Sequence, residues 1–222
     1  MDLRRLMVEL EQLYFRDYAN HWSEALGRVS LPPFNDAGDG AEQLASLTAA
    51  NSPLLQLLVE IRENTRFQSV LEPADETAQA GKTGDAAPGA QGEGLAAVAD
   101  KARQALAKSL PDTAKKALQR RFEPLHRLLD DNNGPAADLT PALLAINDLQ
   151  LQLSSLARAS QPDQAAFEMA KARMSGQRDA LSSLRNASVR LPRPVSLWFN
   201  SLAEDAWRLV LNDSYQYLNQ RY

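Results

Sequence analysis

DLRRLMVELEQLYFRDYANHWSEAL, residues 2–26, decides the fold class. Its apolar residues fall at Leu3, Leu6, Leu10, Leu13 with Tyr14, Tyr18, Trp22, and Ala25 with Leu26, in steps of three and four. That spacing holds them along one side of an α-helix, with Arg4, Arg5, Glu9, Arg16 and Glu24 largely off it. A strand would need strict alternation, and no alternating run of useful length appears in the chain.

Within that helix LYFRDYANHW, residues 13–22, gathers four aromatic rings with Arg16, Asp17 and His21, in a chain that is only 6% aromatic. Asp17 and His21 stand four apart, close enough to share a metal or form an acid–base pair. A zinc site would need a further ligand, and the second histidine, His126, is remote in sequence. The competing reading is a packing seam. Tyr14, Tyr18 and Trp22 advance around the helix by only about 40° per step of four. They are therefore expected on the buried side with Leu10 and Leu26, with Asp17 and His21 at the edges, and a core seam is favoured over an aromatic ligand box.

The remaining chain continues in helical period. Gly27 and the pair Pro32-Pro33 end the first helix, and a second is expected over about 39–49. Ser52 is placed to cap a third, with Pro53 at its first turn and Leu54, Leu57, Leu58 and Ile61 on its apolar face. Residues 72–94 hold five of the ten glycines and two prolines without a Leu, Ile, Val or aromatic. Such a stretch cannot bury enough apolar surface to offset its ordering entropy, and a flexible linker or loop is expected. Beyond it, helices are expected over 95–110, over 112–130 with a break or kink at Pro124, and from Thr140 as N-cap with Pro141 following. DNNGP, residues 131–135, reads as a stop and turn. One long helix is expected over 162–188 and another over the C-terminal stretch, which ends at Tyr222 in mid-pattern, as a piece of a longer chain would.

These elements give an all-α fold, a multi-helix bundle of long antiparallel helices in two helical units. The expected division is 1–71, a linker over 72–94, and a C-terminal bundle over 95–222. At 222 residues the chain buries roughly 70% of its unfolded surface, enough for one core or two small ones.

Composition narrows the chemistry. The absence of cysteine removes thiolate nucleophiles, disulfides and Cys-based zinc sites. No run of about 18 apolar residues exists, and no basic stretch followed by an apolar one opens the chain. A net charge of −4 argues against nucleic acid as the main partner. Residues 95–130 carry eight Lys/Arg against four Asp/Glu, including Lys115, Lys116, Arg120 and Arg121. Without interleaved aromatics this strip reads as a solvated helix face, and residues 1–70, with six Lys/Arg and ten Asp/Glu, offer it an acidic counterpart. Gly81-Lys82-Thr83 lacks the glycine five positions earlier that a phosphate-binding loop requires, because that position is Glu76. No catalytic residue, cofactor or metal ligand is assigned.

Tyr14, Asp17, Tyr18 and Trp22, followed by Ser52, Pro53, Leu54 and Thr65, resemble the periplasmic part of the IcmF/TssM family of type VI secretion. The C-terminal LPRPVSLWFNSLAEDAWRLVL, with Trp198 and Trp207, is similar to that family's Leu-Pro-x-Pro segment. The resemblance implies a non-catalytic scaffold, the periplasmic part of a bacterial inner-membrane protein that assembles across the envelope. It implies as partners the outer-membrane lipoprotein TssJ, the inner-membrane subunit TssL and further copies of the chain. In the family, lipoprotein binding is assigned mainly to a C-terminal β-rich region that follows the part resembled here. The alternative from another class is a free-standing helical adaptor or chaperone that binds a partner helix.

Overall fold

A computed structural model of the chain describes residues 3–66 and 113–221. Among these residues there are eight helices and no strand: α1 (Leu3–Arg28), α2 (Ala37–Thr48), α3 (Pro53–Thr65), α4 (Thr113–His126), α5 (Thr140–Ala157), α6 (Pro162–Met174), α7 (Ala180–Ser188) and α8 (Val195–Arg221). The fold is all-α. The segment expected as a linker, 72–94, and the helix expected over 95–110 lie outside the described residues.

Contacts divide the chain into two compact units, Met1–Asn20 with Arg66–Arg121, and His21–Thr65 with Phe122–Tyr222. In the second unit α2 packs most extensively on α5, α6 on α8, and α7 against both α5 and α8. The interior is leucine-rich: Leu44, Leu58, Ile61, Ile146, Leu149, Leu153, Leu156, Leu184 and Phe199 are fully buried. Gly40 explains how closely α2 approaches α5. A Cβ there would sit 3.0 Å from Leu153 Cδ1 and 3.1 Å from the Phe34 ring, so these side chains would have to give way by a few tenths of an ångström.

Residues 37–65 are apolar enough over their length to satisfy a simple test for a membrane span. They form two helices interrupted at 49–52, and Leu44, Leu47, Leu54, Leu58 and Ile61 spend that apolarity inside the unit. Ser52 caps α3 as its sequence position suggests: its Oγ accepts from Leu54 N–H at 3.2 Å. The same hydroxyl donates to the Leu47 carbonyl at 2.7 Å and so ties α3 to the end of α2.

Three local expectations are corrected. The long helix over 162–188 is two helices, because Gly176 adopts a left-handed conformation at φ 86° after α6. Gly176 N–H bonds to Arg173 O at 3.0 Å and Gln177 N–H to Ala172 O at 3.2 Å, the paired closure of a Schellman stop. Asp179 then caps α7, accepting from Ser182 N–H at 2.8 Å. Thr140 is not an N-cap. The chain already turns at 136–139, and the Thr140 hydroxyl donates back to the Ala136 carbonyl at 2.9 Å. The helix expected over 112–130 ends at His126, and Pro124 lies inside it, two residues before that end.

Candidate functional site

α1 carries two apolar faces, not one. Leu3, Leu6, Met7, Leu10, Leu13 and Tyr14 are 41–73% exposed. Phe15, Tyr18 and Trp22 are half-buried, and Ala19 and Leu26 are buried. The expectation that Tyr14, Tyr18 and Trp22 share a buried side therefore fails at Tyr14. A drift of about 40° per step becomes about 80° over the eight residues from Tyr14 to Trp22, enough to carry one ring outward and the other inward. The rings still touch along the helix: Tyr14 meets Phe15 edge-on at 5.2 Å and stacks on Tyr18 at 6.1 Å.

Asp17 and His21 are both exposed on this helix, and Asp17 lies 3.9 Å from Arg16 Nε. Among the described residues no group of three or more His, Asp or Glu is placed to hold a metal ion. Gly81-Lys82-Thr83 lies outside the described residues. Of the basic strip on α4, Lys116, Arg120 and Arg121 are exposed and Lys115 half-buried. Arg121 donates to the Asn20 side-chain oxygen at 2.9 Å. Gln12, Phe15, Ala19, Ala114, Ala117 and Leu118 line much of a groove of 390 Å³ in this first unit.

In the second unit the polar contacts clasp elements that are far apart in sequence. Arg62, on α3, donates to the Asp130 carbonyl at 2.7 Å and to the Asn133 side-chain oxygen. It thereby braces the turn in which Asp130 Oδ1 accepts from Asn132 N–H at 2.9 Å and Gly134 N–H at 2.7 Å. Asn133 has φ 63° there, a left-handed conformation that asparagine tolerates. Thr65 donates to Ile61 O at 2.5 Å and lies 2.6 Å from His126 Nε2. With the hydroxyl hydrogen committed to the carbonyl, the imidazole Nε2 is assigned as the donor to Thr65. Trp198 Nε1 donates to the Val29 carbonyl at 2.9 Å, beside a small apolar pocket of 130 Å³ lined by Leu31, Leu47, Leu54, Leu57 and Phe199 among others.

Asp179 and Asp213 are among the aspartates of this unit whose acidities are displaced. Burial opposes ionisation of Asp179, but the Ser182 hydroxyl and backbone N–H and the Arg173 guanidinium outweigh it and hold the carboxyl below its ordinary value. The Arg173–Asp179 pair is close, at 2.6 Å, and its side chains are only 17% and 10% exposed. Arg173 also lies 5.0 Å above the Trp207 ring. Asp213 is displaced the other way, by burial and by the carboxylates of Asp163 and Asp36. These contacts fix helices to one another.

The family model described as "IcmF-related: Intracellular multiplication and human macrophage-killing" matches residues 1–66. Over 67 residues the chain is 28% identical to the type VI secretion system component TssM1 of Pseudomonas aeruginosa, a match that covers 30% of this chain and 6% of that protein. No solved structure matches significantly. The matched stretch contains α1, α2 and α3, including the Ser52-Pro53 cap and Thr65. Through these first 66 residues the chain is similar to the IcmF-related family.

Proposed function

We propose that the chain is a non-catalytic scaffold, a periplasmic part of a type VI secretion membrane-complex subunit that mediates protein–protein assembly across the envelope. The observation that carries this reading is the family match over the same residues that form the two-faced α1 and the capped α2–α3 pair. The geometry supports it in kind: the polar side chains at Arg62, Thr65 and Arg173 brace helices, and Leu3, Leu6, Leu10 and Leu13 of α1 are exposed. TssJ, TssL and further copies of the subunit are the proposed partners.

The test is assembly. In cells, deleting residues 1–66 from the full-length subunit should abolish co-purification of the membrane complex while TssJ and TssL remain at normal levels. Unchanged recovery of the complex would sink the scaffold reading for this region. The adaptor reading, for which the exposed α1 stripe also speaks, would be favoured if the purified chain captured a single helix-bearing partner but neither TssJ nor TssL.

A further inference from the structure

We infer that Asn133 is a modification site, where the side-chain amide converts spontaneously to aspartate and isoaspartate at a rate set by the hold of α3 on the turn. The inference stands on α3 and that turn and is independent of the scaffold reading.

Asn133-Gly134 is the one Asn-Gly step in the 222-residue sequence. At such a step the main-chain nitrogen of the glycine can attack the asparagine side-chain carbonyl, because the following residue has no side chain to block the approach. The new N–Cγ bond closes a five-membered imide, the Gly134 nitrogen gives up its proton, and the Asn133 side-chain nitrogen leaves as ammonia. Water, the only co-reactant, then adds to one of the two imide carbonyls and opens the ring. One opening leaves aspartate. The other leaves isoaspartate, with the main chain running through the former side chain.

The turn is built around the glycine that makes this chemistry accessible. A Cβ on residue 134 would lie 2.9 Å from Asp130 Oδ2 and 3.3 Å from Asp130 Oδ1, so a side chain there would shift the carboxylate that organises the turn. Asn133 is exposed to water at φ 63°. The base of the turn is closed by Asp130 N–H on Gly134 O at 2.8 Å and Ala136 N–H on Leu128 O at 2.9 Å.

Two contacts oppose the reaction. Gly134 N–H donates to Asp130 Oδ1 at 2.7 Å, and a carboxylate beside that nitrogen disfavours the anion needed for attack. Arg62 donates to Asn133 Oδ1 and, at 2.7 Å, to the Asp130 carbonyl, and so pins the amide that must swing onto the Gly134 nitrogen. Conversion therefore needs Arg62 to let go, which is a local opening of α3 from the turn and not an unfolding of the unit. The product changes the clasp in turn: aspartate presents Arg62 with a carboxylate in place of an amide, and isoaspartate lengthens the main chain beneath it.

The test follows the 222-residue chain by peptide mass spectrometry, with isoaspartate resolved by chromatography, during incubation at neutral to mildly alkaline pH. Conversion should concentrate at Asn133 and exceed that at Asn132, its equally exposed neighbour. Arg62→Ala should speed it by about fivefold, the factor that one ordinary hydrogen bond places on a local opening, with amide hydrogen exchange in α5 unchanged. Asp130→Asn, which keeps an acceptor for Gly134 N–H but removes the charge, should speed it by less. Conversion at Asn133 no faster than at Asn132 overturns the site. An Arg62→Ala rate equal to the parent's, or slower because the guanidinium polarised the carbonyl instead of restraining it, overturns the control by α3. Acceleration that only keeps step with faster exchange in α5 overturns it as well, since the whole unit would then be opening.

Discussion

The N-terminal half of α1 and the whole of α5 are built from similar leucine spacings yet meet opposite fates. On α5, Ala142, Ala145, Ile146, Leu149, Leu153 and Leu156 are buried, because α2, α6 and α7 all pack against that helix. On α1, Leu3, Leu6, Leu10 and Leu13 remain substantially exposed. Helical period therefore reports that a helix has an apolar side, and only its neighbours decide whether that side is core or surface. A stripe left open at this length is the kind of patch that marks an interaction site, whereas an isolated exposed leucine such as Leu144 is ordinary.

The difference is sharpest where truncation is compared. Leu149 is fully buried between packed helices, so Leu149→Ala should destabilise the second unit by about 3 kcal/mol, the sum of lost transfer energy and an unfilled cavity. Urea unfolding followed by far-UV circular dichroism would measure it. A loss below about 1 kcal/mol would mean that α5 can collapse around the gap and that its contrast with α1 is shallower than the burial implies.

Polar packing gives the next effect in size. Asp179 serves at once as the N-cap of α7 and as the partner of Arg173, so Asp179→Ala leaves a largely buried guanidinium without its carboxylate. A cost of roughly 2 kcal/mol at neutral pH follows, below the full value for a deeply buried pair because water still reaches the site. The folded carboxyl is held below its ordinary value of 3.8, so its contribution is fully present above pH 3.8. It is lost as the pH falls through the folded value. The gap between parent and variant should therefore close in acid, and a gap independent of pH would show that Asp179 acts by packing and not by charge.

How much of this could be read from residues alone depended on the range of the interaction. Ser52-Pro53 and the leucines after it announced α3, because a cap and a 3.6-residue period are local properties. Gly176 gives no local stop signal, since one glycine inside a helical pattern is tolerated, and only its left-handed φ reveals the helix end. Thr140 looked like a cap because the turn over 136–139 that feeds α5 has no distinctive local signature. Arg62 and the turn at Asp130 lie 68 residues apart, and nothing near either one names the other. Tyr14 was assigned inward by a spacing argument whose small angular error accumulated over two steps. The contrast between α1 and α5 was invisible for the same reason: burial is a tertiary property.

The smallest expected effect is the one that tests the comparison from the other side. Leu6 projects from the open stripe of α1 at 41% exposure. In dilute solution, Leu6→Ala should change unfolding stability by no more than about 0.5 kcal/mol, since little surface is uncovered and alanine is a better helix former than leucine. If the stripe is buried between molecules, the same substitution should become costly as concentration rises, because association stabilises only the folded partner. Equal melting behaviour of parent and variant at low concentration, diverging at high concentration, would assign the stripe to contacts between molecules. A large loss already present in dilute solution would instead place Leu6 in contacts within one molecule, and the distinction between the two helices would then be one of degree.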